Sequence, residues 1–115
     1  MKARAGKKPV VLELGGNAGA IVDASADLDW AVKRSLIGAF AFSGQVCISV
    51  QRLLVHEDVW EPFMERFVAG AEALKTGDPL DPATDIGPMV DAGAVERTQR
   101  WVCLLYTSPS PRDRG

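Results

Sequence analysis

Apolar and polar positions recur along this chain with two periods, and those periods lay out its elements. Pro9-Val-Val-Leu-Glu-Leu14 is a short apolar run closed by Gly15-Gly16, the pattern of a buried strand ending at a glycine turn. Ala20-Ile-Val-Asp23 offers a second short strand. Leu28, Ala31, Val32, Leu36 and Ala39 then fall on one stripe of a 3.6-residue period, which predicts a helix. Ser25 or Asp27 can cap its start, and Asp27 and Asp29 place negative charge where the helix dipole favours it. The stripe is lost across Phe40 to Gly44.

Gln51-Arg-Leu-Leu-Val-His56 predicts another strand by alternation and composition. A second helix is predicted from near Asp58, with Asp58 and Glu61 as a capping box, Pro62 in the first turn and Gly77 as its stop. Trp60, Phe63, Met64, Phe67, Val68, Ala71 and Leu74 form the strongest amphipathic stripe in the chain. Its aromatic members Trp60, Phe63 and Phe67 are expected in the core. Asp78 to Pro88 holds three prolines and no period, so it reads as a loop. A third helix is expected from about Asp91, with Ala94, Val95, Thr98, Trp101 and Val102 on one face. Strands alternating with helices define an α/β chain.

Composition narrows the function classes. The 115 residues allow one domain at most, and 47% hydrophobic with 24% charged residues is ordinary for a soluble domain. A net charge of −2 offers no basic excess for nucleic acid or an anionic membrane. Apolar stretches such as Leu36 to Phe42 fall far short of the roughly 20 residues that span a bilayer. The basic start, Met1 to Lys8, is followed by no apolar run of secretory type. Two cysteines, Cys47 and Cys103, make no disulfide framework, and a reducing cytoplasm is the default compartment. With one histidine and no Cys-x-x-Cys pair, no metal-ligand spacing is present.

Four features carry candidate chemistry. Cys47 follows Gly44-Gln45-Val46 where the first helical stripe ends; it is either a nucleophile or a packing residue. Glu13 interrupts an apolar run, so its carboxylate lies either at a solvated strand end or in a cleft as a general base. Gly15-Gly16 makes a tight turn but is too short for a dinucleotide fingerprint. His56 ends a strand; it is either a surface residue or a partner for Cys47.

Taken together, Glu13-Leu-Gly-Gly-Asn17 and Gly44-Gln-Val-Cys47 resemble the paired motifs of the aldehyde dehydrogenase superfamily, with Glu13 and Cys47 thirty-four positions apart. The resemblance continues through Ala26-Asp-Leu-Asp-Trp-Ala-Val32, the strand from Gln51 to Val55, Val59-Trp-Glu-Pro-Phe63, Gly77-Asp-Pro79 and Ile86-Gly-Pro88, to about Val102. It implies that Cys47 is the catalytic nucleophile and Glu13 the general base, with Leu14, Gly15 and Gly16 against the nicotinamide of NAD or NADP. It implies a small-molecule aldehyde as substrate, oxidised through a thiohemiacetal and a thioester on Cys47, and a cytoplasmic parent that is a homo-oligomer. Val46 stands where the phosphate-recognising glyceraldehyde-3-phosphate branch carries an arginine, and Ile48-Ser-Val-Gln-Arg52 is closer to lactaldehyde- and semialdehyde-type enzymes.

The implied fold is the N-terminal part of a three-layer α/β catalytic domain. Residues 1–17 are then the last strand of the cofactor-binding domain with its glycine turn, and residues 18–102 the beginning of the catalytic domain. Residues 103–115 are expected to be a non-native or disordered tail, since Tyr106 to Gly115 holds two prolines and no apolar period. The glycine turn that would hold the cofactor's pyrophosphate is absent from the sequence, so the expectation is an internal fragment, inactive alone. Two other functions stay open: a thiol hydrolase using Cys47 with His56, and a non-catalytic interaction module in which Cys47 is buried and inert.

Overall fold

A computed structural model describes residues 2–107. They fall into two compact units, with the boundary between Ala73 and Leu74. The first unit holds β1 (Ala18–Val22), α1 (Leu28–Phe40), β2 (Val50–Val55) and α2 (Trp60–Glu72). β1 and β2 pair in parallel, from Ala18 beside Val50 to Val22 beside Val55. Parallel neighbours cannot be joined by a tight turn, and α1 is the crossover between them. The register slips between Ala18 and Gly19, so Gly19 faces Arg52 and Gln51 is passed over.

The core of this unit is Val22, Ala31, Val32 and Phe63, with Leu28, Leu36, Leu53 and Phe67 packed around it. Both helices therefore cover the sheet face that carries Val22 and Leu53. Alternation sends Ile21 and Leu54 to the other face, where they are exposed. Phe63 is wholly buried and stacks on Phe67, with ring centroids 5.7 Å apart. Trp60 departs from the expected aromatic core: it is 45% exposed and lines an open hollow with Ile21, Leu54 and His56 at one end of the sheet. As the first residue of α2 it sits beyond the packed part of the stripe.

The helix starts separate two expectations. Asp27 caps α1, its carboxylate accepting the Trp30 N–H at 3.0 Å. Ser25 instead donates both its N–H and its hydroxyl to Asp23, at 3.1 and 2.6 Å. The capping box expected from Asp58 and Glu61 does not form. Asp58 lies inside a single 3-10 turn, Glu57–Val59, and His56 Nδ1 accepts its N–H at 3.2 Å. α2 also ends at Glu72, ahead of Gly77. Gly77 is drawn elsewhere: its N–H donates to the Ile86 carbonyl at 3.1 Å, beside a bridge between Thr76 and Ile86.

The apolar run from Pro9 to Leu14 forms no strand, contrary to its pattern. Residues 9–17 carry no regular structure, and Val11 and Leu14 are exposed. A strand exists only against a neighbour. Among the described residues the one sheet is β1 with β2, and the run pairs with neither.

In the second unit the stretch from Asp78 to Pro88 is a loop, as expected, with Ile86 in an isolated bridge. Asp78 accepts the Leu80 N–H at 2.9 Å and Asp81 accepts the Ala83 N–H at 2.8 Å, two side-chain turns of the type aspartate favours. The final helix, α3, spans Ala92–Thr107, with Asp91 accepting the Ala94 N–H at 2.7 Å at its start. Of the residues expected on one face of this helix, Ala94 alone is buried; Val95, Thr98, Trp101 and Val102 are exposed. α3 also runs on through Cys103–Thr107, so the first residues of the stretch expected to be a non-native or disordered tail are helical. These residues keep apolar and helix-compatible character, and the Thr107 hydroxyl donates to the Cys103 carbonyl at 2.9 Å. The rest of the expected tail, 108–115, lies outside the described residues.

Candidate active site

Cys47 sits at the second position of a turn that Ser49 closes by donating its N–H to the Val46 carbonyl at 2.9 Å. The residue is exposed, so its thiol is open to a reactant. This contradicts the interaction-module alternative, which needs Cys47 buried.

The turn is clamped on both sides. On its C-terminal side Ser49 is buried and its hydroxyl donates to the Gly38 carbonyl at 3.3 Å. That carbonyl belongs to the last turn of α1, where helix acceptors lack partners in the helix itself. Gly38 also lets β2 close on α1, because a Cβ there would stand 2.8 Å from Val50 Cγ2. On the N-terminal side, Phe42, Ser43 and Gly44 take left-handed backbone angles in succession, with φ of 52°, 57° and 73°. Two of these are not glycine, and such conformations are uncommon for side-chain-bearing residues. Reversing the chain this sharply after α1 is what presents Cys47 at the start of β2.

Glu13, Leu14, Gly15 and Gly16 form an exposed strip without regular structure. A Cβ on Gly16 would run into the backbone carbonyl oxygen of Cys47, so the two backbones lie directly against each other. Gly6 and Gly44 are the positive-φ glycines of the described residues, so residue 16 needs glycine for space rather than for its dihedral angles. Gly15 differs, since a Cβ there would meet nothing within 4 Å. Next along, the Asn17 carbonyl accepts the Arg52 guanidinium at 3.1 Å. The structure thus joins the two motifs at Gly16 and Cys47, with Glu13 three residues from that contact.

His56 is not part of this group. It follows the last residue of β2, while Cys47 precedes the first, and six strand residues span about 20 Å. Its Nδ1 is also engaged by the Asp58 N–H, with the Asp58 carboxylate 3.6 Å away. The Cys47–His56 pairing needed for a thiol hydrolase is therefore absent. Asp23, near His56, has its carboxyl held below the ordinary range by the Ser25 hydroxyl first and the Ser25 N–H second.

Sequence reasoning passed over Gly38, Ser49 and Arg52, which fix the turn and the strip. A small polar residue in an apolar segment, as Ser49 is, was the available signal. Among the described residues no cluster of three or more His, Cys, Asp or Glu side chains can hold a metal ion. No described helix is long and apolar enough to cross a membrane.

The class is therefore an α/β chain in which an exposed cysteine turn abuts a glycine-broken acidic strip. Residues 1–105 match the family model of the aldehyde dehydrogenase family. The chain belongs to that family, and the match reaches three residues beyond Val102. It is similar to the NADP(+) succinate-semialdehyde dehydrogenase of Mycobacterium avium, 51% identical over 82 residues, which are 71% of this chain and 17% of the relative. The corresponding Mycobacterium tuberculosis enzyme is 50% identical over 82 residues, 71% of this chain and 18% of its own length. The chain thus spans under a fifth of the curated relatives it matches. Among solved structures it resembles an NAD-dependent aldehyde dehydrogenase from Sinorhizobium meliloti, with a TM-score of 0.84 and 40% identity over 92% of this chain and 21% of that one. It also resembles aldehyde dehydrogenase 21 from Physcomitrella patens in complex with the reaction product succinate, with a TM-score of 0.81 and 48% identity over 89% and 21% of the two chains. The fold class is accordingly α/β, of the aldehyde dehydrogenase catalytic-domain kind.

Proposed function

We propose that this chain carries the nucleophile and the general base of an enzyme that oxidises a small aldehyde to its carboxylic acid with NAD or NADP. One observation carries the reading: the backbone of the Glu13-Leu-Gly-Gly segment lies against the peptide of Cys47. That contact supports reading Glu13 and Cys47, far apart in sequence, as parts of one site.

The residue chemistry fits both halves of such a reaction. The Cys47 thiolate adds to the aldehyde carbon, forming a C–S bond and an oxyanion. The backbone N–H of Cys47 helps to hold that oxyanion. Bound NAD(P) supplies a two-electron acceptor for the hydride of the former aldehyde carbon. A thioester is left on Cys47. Glu13 takes a proton from water, which attacks the thioester carbonyl, and the C–S bond breaks to release the acid and the thiolate. The open space at Gly15 and the exposed Leu14 leave a backbone edge that a flat ring can approach. Gly16 serves the same edge from a position already packed on Cys47.

The mycobacterial relatives are named for succinate semialdehyde and NADP(+), so these are the first substrate and cofactor to test. We place the parent in the cytoplasm as a homo-oligomer, a setting in which two free, exposed thiols stay reduced. Residues 1–17 belong with the cofactor-binding domain and 18–102 with the catalytic domain. The 115-residue chain by itself is expected to show no NADP-dependent aldehyde oxidation.

The test is a chimera in which residues 1–105 replace the matching stretch of the Mycobacterium tuberculosis enzyme. Cys47→Ser should abolish acyl-enzyme and NADPH formation together. Glu13→Gln should still give one rapid burst of NADPH and then stall as the thioester. A Cys47→Ser chimera that keeps turning over would overturn the reading.

A further inference from the structure

We infer that Arg52 is a positioning residue for thioester hydrolysis: its guanidinium, bonded to the Asn17 carbonyl, holds the Gly16 end of the Glu13 strip against the Cys47 turn. The inference rests on the proposed roles of Cys47 and Glu13 and assigns them a tether that neither motif contains.

Three features place Arg52 in that role. The first is the strip itself. Gly15 and Gly16 are consecutive, and glycine has more backbone freedom to lose than any other residue. Each restraint on the C-terminal side of this pair therefore shortens the free stretch through which Glu13 can swing away from the thioester. The Gly16–Cys47 contact is steric and limits approach from one side only. A directional bond is needed to keep the strip from lifting off, and Arg52 to Asn17, at 3.1 Å, is such a bond one residue further on. The second feature is the register slip. It sets Arg52, rather than Gln51, opposite Gly19. The guanidinium then lies over Gly19, with Nη2 3.7 Å from where a Cβ would be. The third is the donor. Guanidinium stays charged across the working pH range and forms stronger, better aimed bonds to a carbonyl than a neutral amide does.

The inference separates the two halves of the reaction. Thiolate attack and hydride departure need Cys47 and the aldehyde. Hydrolysis also needs Glu13 in place. Loss of Arg52 should therefore slow the second half and spare the first.

The test uses the chimera with Arg52→Met and Arg52→Lys. Acyl-Cys47 is followed by rapid quench and intact mass after one addition of succinate semialdehyde and NADP. Its formation should stay within about twofold, while its decay should slow by about tenfold or more in Arg52→Met, as expected for a displacement of under 1 Å. Arg52→Lys, which can still donate to the Asn17 carbonyl, should recover part of the decay rate. Hydroxylamine attacks the thioester directly and releases a hydroxamate, so it should discharge the Arg52→Met acyl-enzyme at the unsubstituted rate. Equal slowing of formation and decay would overturn the inference, as would unchanged decay in both variants. Should Arg52→Met not fold, Arg52→Lys decides alone: decay slowed more than formation supports the tether, and any other result refutes it. An active Cys47→Ser chimera would instead bring down the underlying assignment, so the two failures are distinguishable.

Discussion

Replacing Gly16 by alanine tests the contact on which the site depends. The added Cβ falls onto the Cys47 carbonyl oxygen. Both groups are backbone-fixed, so neither can rotate aside as the end of a long side chain can. Restoring an ordinary contact of about 3.5 Å requires the two segments to part by more than about 1 Å. A misplacement of that size costs on the order of 100-fold in rate, or about 2.7 kcal/mol of transition-state stabilisation. In the chimera, Gly16→Ala should therefore lower kcat for aldehyde oxidation about 100-fold. It should also change the rate at which iodoacetamide alkylates Cys47, because the turn itself is displaced. Gly15→Ala provides the contrast. Its Cβ has open space, so alkylation of Cys47 should be unaffected while KM for NADP rises. A Gly16→Ala enzyme within about threefold of the parent kcat would refute the reasoning, because 1 Å of displacement cannot be that cheap.

Other perturbations probe the scaffold of the first unit. Among the described residues Phe63 is the one wholly buried large side chain, so Phe63→Ala should cost about 3–5 kcal/mol and erase the cooperative thermal transition seen by far-UV circular dichroism. Asp27→Ala removes the side-chain cap of α1 and should cost about 1 kcal/mol, read as a lower midpoint in urea unfolding. Asp23 gives a pH signature. Its folded pKa lies below the ordinary 3.8, so the stability it contributes is present above 3.8 and is lost as pH falls through the lowered value. Ser25→Ala removes the largest cause of that depression, and carbon-detected NMR should show the Asp23 carboxyl titrating at higher pH.

Much of the fold was legible because its driving patterns are local. The stripe through Leu28, Ala31, Val32 and Leu36 needed only a 3.6-residue period, and Asp27 needed only its position before that stripe. Boundaries failed where a longer-range partner decided. Gly77 looks like a helix stop, but its N–H is claimed by Ile86, and α2 ends earlier. Asp58 looks like a cap, but here the cause is local: the 3-10 turn Glu57–Val59 takes Asp58 in, and Val59 stands at the start of α2 with no side-chain cap. The run from Pro9 to Leu14 has the composition of a buried strand and no strand beside it, so composition had nothing to act on. At the site, residue types were legible and their supports were not. Cys47 and Glu13 announce themselves through their motifs. Ser49 and Arg52 matter only through contacts with carbonyls 10 or more positions away, at Gly38 and Asn17.

The spacing of the two motifs has a topological cause. Gly16 lies two residues before β1 and Cys47 three residues before β2. Parallel strands begin at the same end of a sheet, and the register sets Ala18 beside Val50. The segments leading into the two strands must therefore arrive side by side, and the Gly16–Cys47 contact follows from the pairing. The thirty-four-residue separation of Glu13 and Cys47 holds one strand and its crossover helix with their turns, and it ends just short of the next parallel strand. His56 fails as a partner for the same reason that Gly16 succeeds, since it leaves β2 at the far end. A change that shifts the β1–β2 register by two residues would slide the glycine strip about 6–7 Å past Cys47 even with every site residue intact. The slip at Gly19 and the bond from Arg52 to Asn17 sit at the entrance to β1, where that register is set.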